Sequence, residues 1–298
     1  MLILIFAYIL TRLQFRYSAL VGVGLIVMHN VGAFFTNESA TDLVFGDYFL
    51  LITAFIGTLG AYVLERSARL LFLRERQLDR ERGRSEGLLR NILPEQIADR
   101  LKQRDPATEH GHIARAYDEV TVVFADLVEF TRQSGRADPP EIVAVLDEVF
   151  RRFDAIAERY GLEKIKTIGD AYMAVAGVPE PREDDVEVAA QMALAIRDEV
   201  GHVRWPSGDP IRVRIGMATG PAVAGVIGQR KFAYDLWGDT VNTAARMESN
   251  GIPDAIQVSE AVYGRLGGSY RFSDGHIVNL KGKGPTAARF LLGRDGTE

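Results

Sequence analysis

The sequence predicts an α+β domain carried behind membrane-length apolar helices. Three features point to it: apolar runs of spanning length before residue 65, a charged helical stretch after them, and an order strand, helix, strand, strand, helix, strand from residue 119. At 298 residues and 47% hydrophobic, the chain is long enough for a packed domain and a second unit.

Residues 1–10 are apolar but short, reading as a spanning helix without its beginning. Residues 18–35 and 47–64 are each mostly apolar and long enough for a hydrocarbon core of roughly 30 Å. Arg12 and Arg16 lie between the first two segments, and Arg66, Arg69, Arg74 and Arg76 follow the third. The loop between the second and third carries only Glu38, Asp42 and Asp47. By the positive-inside rule, residues 1–64 form about three helices of a multi-pass protein in the cell membrane, with everything beyond residue 65 cytoplasmic. A charged n-region and small-residue cleavage site are missing, so no cleavable signal is expected. His29 and Asn30, inside the second segment, read either as a polar contact between helices or as a sensing site.

Residues 65–104 follow as a charged helical linker in which Leu70, Leu71, Leu73, Leu78, Leu88, Leu89, Ile92 and Leu93 are unevenly spaced. A two-stranded coiled coil and a solitary solvated helix both fit, and Gly83 and Gly87 weaken the heptads. Pro94 restarts a helix over 95–102, and residues 105–118 read as a connector.

The domain proper is expected over 119–298. Residues 119–125 are a β-branched strand. Asp138 as N-cap, Pro139 at N1 and Glu141 at N3 open a helix whose Ile142, Val145, Leu146, Val149, Phe153 and Ile156 face inward until Gly161 stops it. Residues 164–168 and 171–176 form a hairpin about Gly169 and Asp170, followed by a helix over 184–203 and a strand over 211–218. That order is the ferredoxin-like βαββαβ arrangement, an antiparallel sheet covered by two helices. A C-terminal extension adds strands near 223–227 and 232–236, a short helix from Asp239, a strand at Ile256, a helix from Ser259 and a hairpin turning at Asp274 and Gly275.

Composition narrows the chemistry. A net charge of −5 disfavours nucleic acid as a partner, and the lack of cysteine removes disulfides and thiolate chemistry. His110 and His112 sit in the polar connector and read as solvated.

The residues that remain suit a phosphorylated, divalent-cation-dependent substrate. Asp126 ends the first strand and Asp170 tips the hairpin, so pairing those strands brings two carboxylates together. Hard oxygen donors of this kind suit Mg²⁺ or Mn²⁺, although a lone Asp at a strand end is also an ordinary turn residue. Residues 127–131, including Phe130 and Thr131, could offer backbone N–H groups to phosphate. Lys166 lies four residues before Asp170, about 13 Å along an extended chain, close to the span from a purine to its phosphates. Lys166 can donate to a purine ring acceptor and Asp235 can accept from an exocyclic amine; an ordinary cross-strand ion pair is the alternative for Lys166. Asn242 and Arg246, four residues apart, share one helix face and suit a phosphoryl group in flight, or a solvated surface. Lys281 and Lys283, separated and followed by glycine, make a flexible basic loop.

Together these motifs resemble a known family. The run LRNILPEQIA from Leu89, FADLVEFT from Phe124, KIKTIGDAYM from Lys164, GVIG from Gly225, YDLWGDTVNTAARME from Tyr234 and KGKG from Lys281 are similar to class III nucleotidyl cyclases, specifically the membrane-bound bacterial adenylyl cyclases that resemble the mammalian enzymes. The likeness covers residues 88–292. It implies that Asp126, Asp170 and the backbone carbonyl of Leu127 hold two Mg²⁺ or Mn²⁺ ions per site. Lys166 and Asp235 would read adenine, Asn242 and Arg246 would stabilise the transition state, and Lys281, Phe130 and Thr131 would contact phosphates. The implied reaction turns ATP into 3′,5′-cyclic AMP and pyrophosphate. The implied assembly is a head-to-tail homodimer with two equivalent composite sites, behind a charged signalling helix. The related cyclases with six spans have more membrane helices than this chain. Guanine could meet the Lys166 and Asp235 pair with the roles reversed, so guanylyl cyclase is the rival reading, and a silent dimerisation module is a third. The Gly-Gly-Asp/Glu-Glu-Phe signature of diguanylate cyclases is absent.

Overall fold

The computed structural model describes residues 15–36, 39–90, 92–103, 113–228 and 232–296. The apolar run 1–10, Arg12 and the His110/His112 connector lie outside them. The chain divides into two units, residues 1–87 and 88–298.

Helices α1 (Phe15–Thr36) and α2 (Ala40–Arg90) make up the first unit and lead out of it. Both contain stretches long and apolar enough to cross a membrane, with a mean hydropathy of 1.7 and only 11% of the window buried. α2 runs unbroken for 51 residues, so the apolar segment and charged linker that the sequence suggested as separate pieces are one helix. Gly83 and Gly87 do not interrupt it, since each costs only about 1 kcal/mol against alanine. The His29–Asn30 pair is an interhelical contact: Asn30 donates to Asp47 Oδ1 at 2.9 Å, and His29 Nδ1 lies 3.1 Å from the same oxygen.

The second unit begins with α3 (Glu95–Gln103) and then builds one nine-stranded sheet. Its elements are β1 (Ile113–Leu127), α4 (Phe130–Ser134), α5 (Pro139–Tyr160), β2 (Glu163–Ile168), β3 (Ala171–Ala176), α6 (Asp185–Val200), β4 (Val213–Ile227), β5 (Ala233–Trp237), α7 (Asp239–Ser249), β6 (Ile256–Ser259), α8 (Glu260–Leu266), β7 (Tyr270–Phe272), β8 (His276–Leu280) and β9 (Gly284–Arg294). The strand order is β2-β3-β1-β4-β6-β9-β7, with β5 on β4 and β8 on β9. The first four strands with α5 and α6 are the expected βαββαβ unit.

Local chemistry explains most boundaries. Pro139 starts α5 and Gly161, at φ 69°, closes it through bonds to the carbonyls of Ala157 and Glu158. Asp138 occupies the N-cap position, but its side chain makes no capping bond, contrary to the sequence expectation. β1 starts at Ile113, inside the expected connector, because residues 113–117 pair with 222–226 of β4. The two expected strands over 211–218 and 223–227 are the single strand β4, which continues through Gly220 and Pro221.

Apolar side chains bury on both sheet faces. Under α5 and α6, Phe153, Tyr172, Met192 and Ile215 are sealed from solvent. On the opposite face Leu93, Ile97 and Ala98 of the α3 segment pack with Tyr117, Val120, Tyr234 and Ala244. Each such large side chain contributes about 1.5–3 kcal/mol of burial free energy.

Candidate active site

The sheet register assembles the acidic pair. Asp126 lies opposite Ala171 on β3 and Arg214 on β4, so Asp170, the residue before Ala171, borders it on one side and a guanidinium on the other. Gly169 takes φ 65° to make the turn that carries Asp170. Burial and then the negative charge of Asp170 push the Asp126 carboxyl above its ordinary pKa, against the pull of Arg214. Two carboxylates in mutual repulsion form a donor set that a divalent cation would relieve. Among the described residues no group of three or more His, Asp or Glu is arranged for a metal, so the other ligands of such an ion must come from backbone carbonyls such as that of Leu127, water or substrate oxygens.

Arg214 is a residue that sequence reasoning missed. Its Nη2 donates to Asp126 Oδ2 at 2.6 Å and its Nε donates to Glu248 Oε1 at 3.1 Å. Glu248 lies on α7, 8% exposed, and desolvation followed by the charge of Asp126 raises its carboxyl to about 7, again against Arg214. A charged residue alternating with Val213 and Ile215 in an otherwise apolar strand was the available signal.

After Asp126 the chain passes Glu129, which adopts a left-handed conformation at φ 64°, into α4. The Phe130 ring packs on Trp205 with centroids 6.2 Å apart, leaving its backbone as the part available to a ligand, and Thr131 is exposed.

The expected purine-reading pair meets directly. Lys166 Nζ donates to Asp235 Oδ2, and the other carboxylate oxygen accepts the N–H of Leu236 at 2.8 Å. Asp235 is therefore held as an acceptor on both oxygens.

Helix α7 carries Asn242, exposed, and Arg246, half-buried, while Ala244, Met247 and Glu248 face the sheet. The fit is close at Gly216 of β4, where a Cβ would stand 2.0 Å from the Glu248 nitrogen. The Arg246 guanidinium lies 3.9 Å from where a Cβ of Gly282 would be, which brings the basic loop to the same helix. Lys281 is exposed, whereas Lys283 is tied down, donating to the Asp239 carboxylate and to Thr243 Oγ1 at 3.1 Å. Sequence reasoning missed this tie too. Within one chain and among the described residues, no hydrogen bond or ion pair joins Asp126 or Asp170 to Lys166, Asp235, Asn242, Arg246 or Lys281.

Residues 113–293 match the family described as adenylate and guanylate cyclase catalytic domain. The chain belongs to the class III nucleotidyl cyclases. It is 44% identical over 220 residues to an adenylate cyclase of Mycobacterium tuberculosis, covering 74% of this chain and 49% of that one. The chain thus spans about half the length of the curated relatives it matches first. Two solved structures superpose with a TM-score of 0.59, each over 61% of this chain. One, 36% identical and covered in full, is the guanylate cyclase domain of RhGC from Catenaria anguillulae in complex with GTP. The other, 38% identical and 98% covered, is the catalytic core of a rhodopsin-guanylyl cyclase with converted specificity in complex with ATPαS. Cyclases of this class use divalent metal, and the paired carboxylates of Asp126 and Asp170 have the donor chemistry for it.

Proposed function

We propose that the protein is a membrane-anchored adenylyl cyclase that converts ATP to 3′,5′-cyclic AMP and pyrophosphate at composite sites of a homodimer. The observation that carries the choice of ATP is the bonded pair Lys166–Asp235. Asp235, supplied with donors on both oxygens, accepts from the 6-amino group of adenine, and Lys166 donates to a ring nitrogen. Guanine in the same pose would turn its O6 toward a carboxylate and its N1–H toward an ammonium.

Asp126, Asp170 and the Leu127 carbonyl would hold two Mg²⁺ or Mn²⁺ ions, which when bound lower the pKa of the ribose 3′-hydroxyl and neutralise the triphosphate. The residues of the chain do the rest. Asn242 orients the ribose, and Arg246 faces the charge that grows on the α-phosphoryl oxygens as the 3′-oxygen attacks and pyrophosphate leaves. Lys281, the backbone at Phe130 and Thr131, and the Arg214 edge now engaged by Asp126 bind the β- and γ-phosphates.

The lack of contact within one chain between the acidic pair and the remaining groups supports a site built from two copies. Exposed Val223, Ile227, Phe232 and Trp237 on and beside β4 and β5 offer apolar surface for the second copy next to Asp235. Anchoring rests on α1 and the apolar part of α2, with the arginines after residue 65 marking the cytoplasmic side.

Supplying ATP and GTP separately with Mn²⁺ and identifying the cyclic product tests the reading. Cyclic AMP as the main product is expected. Preference for GTP would transfer the protein to the guanylyl cyclases, which the GTP-bound relative keeps as the second reading. Turnover that survives Asp170→Ala would remove the acidic pair from the reaction.

A further inference from the structure

Helix α7 has two working faces. Asn242 and Arg246 point outward, while Glu248, two residues beyond Arg246, points back into the sheet and reaches Arg214. Arg214 is thus gripped twice, at Nη2 by Asp126 and at Nε by Glu248. The two grips differ in permanence. Asp126 belongs to the donor pair that a cation would claim, and an ion there would compete with Arg214 for the carboxylate. Glu248 is 8% exposed, stands on the rigid helix, and lies where the absent side chain of Gly216 lets the α7 backbone touch β4. A half-buried, doubly bonded guanidinium beside the acidic pair has no structural need of two carboxylates, since one would neutralise it.

We propose that Glu248 is a positioning residue: by holding Arg214 through Nε it keeps the guanidinium in the site after Asp126 turns to a cation, so that the freed Nη2 edge meets the substrate phosphates. Without Glu248, an Arg214 displaced from Asp126 swings to solvent on its flexible stem, and the phosphates lose a charge-assisted bond. Glu248 itself touches neither substrate nor ion. The inference rests on the composite-site reading given above, and its consequence is specific to one half of each site. Glu248 should matter only in the chain that supplies the acidic pair.

Mixed dimers separate the two. Full-length Asp126→Ala and Asn242→Ala chains, each inactive alone, regain one complete site when combined, with the acidic half from the Asn242→Ala chain. Adding Glu248→Gln to the Asn242→Ala chain should cut the restored activity about tenfold, the loss of one charged hydrogen bond. The same change on the Asp126→Ala chain should alter it less than about twofold, because its Arg214 belongs to the dead site. Equal losses in both arrangements would assign Glu248 to the folding of α7 and overturn the proposal, as would no loss in either.

A second measurement does not depend on composite sites. Binding of inorganic pyrophosphate with Mn²⁺ to the unmixed protein, followed by equilibrium dialysis, should weaken about tenfold in Glu248→Gln and at least as much in Arg214→Gln. The double substitution should bind no more weakly than Arg214→Gln alone. Additive losses would overturn the positioning role, whereas failure of the parent mixture to regain activity alongside a non-additive binding cycle would overturn the composite site and leave the role of Glu248 standing.

Discussion

Exchange of Lys166 and Asp235, the proposed purine-reading pair, is the most demanding test of the site. Lys166→Glu with Asp235→Cys replaces a donor and a fixed acceptor by an acceptor and a weak donor, the pattern that complements guanine. On that proposal GTP in the ATP pose would suffer two mispaired contacts. Each would cost about 1.5 kcal/mol or more, so the pair should separate ATP from GTP by about 3 kcal/mol, on the order of 10²-fold in kcat/KM. The double substitution should invert that ratio by a similar factor. Lys166→Glu alone should lower kcat/KM for ATP and fail to give the GTP preference of the double variant, since it sets two carboxylates side by side where an ion pair stood. The Lys166 side chain is 39% exposed, so solvent screens this repulsion to about 1 kcal/mol. The assay is kcat/KM for each nucleotide with Mn²⁺, the cyclic products being separated by chromatography. Retention of ATP preference in the double variant, with ATP turnover near that of the parent, would refute the assignment of Lys166 and Asp235 to the base.

Three further outcomes are expected. Asp170→Ala should reduce turnover at least about 10³-fold, and calorimetry should find that Mn²⁺ no longer binds with its original stoichiometry. Lys283→Met should raise KM for ATP about three- to tenfold by loosening the basic loop from α7, yet shift stability by under about 1 kcal/mol because the Lys283–Asp239 pair is solvent-exposed. Metal-free protein in detergent should gain thermal stability from pH 8 to pH 6. The Glu248 carboxyl, raised to about 7 in the folded state, holds a proton there that the unfolded chain has released, so this contribution is present below the ordinary carboxylate range and is lost as pH rises through about 7. Halved for screening, the gain is about 0.7 kcal/mol, on the order of 2 °C in Tm. Glu248→Gln should flatten the dependence, and an unchanged slope would reject the assignment.

The βαββαβ order was legible because hydrophobic period and turn residues agree over residues 119–218, and Pro139 and Gly161 punctuate α5 unambiguously. Long-range pairing was not legible. Residues 113–118, rich in charge and alanine, resemble a connector until β4 arrives as their partner, more than a hundred residues later. Gly220 and Pro221 look like a break in β4 for the same reason: local breakers argue for a turn, and the neighbouring strand overrules them. In the candidate site, Asp126, Asp170, Lys166 and Asp235 stood in dense motifs, and the sheet brings each carboxylate beside its expected neighbour. Arg214 and Glu248 escaped notice because they are far apart in the chain and each alone looks like an ordinary surface charge.

The contact at Gly216 sets the spacing of α7 by backbone against backbone. Side chains elsewhere in the interior can trade volume with their neighbours, one growing as another shrinks. Here there is nothing to trade: a single methyl would drive the helix outward and carry Asn242, Arg246 and Glu248 with it, so this one hydrogen atom acts as the gauge block against which those three side chains are aligned.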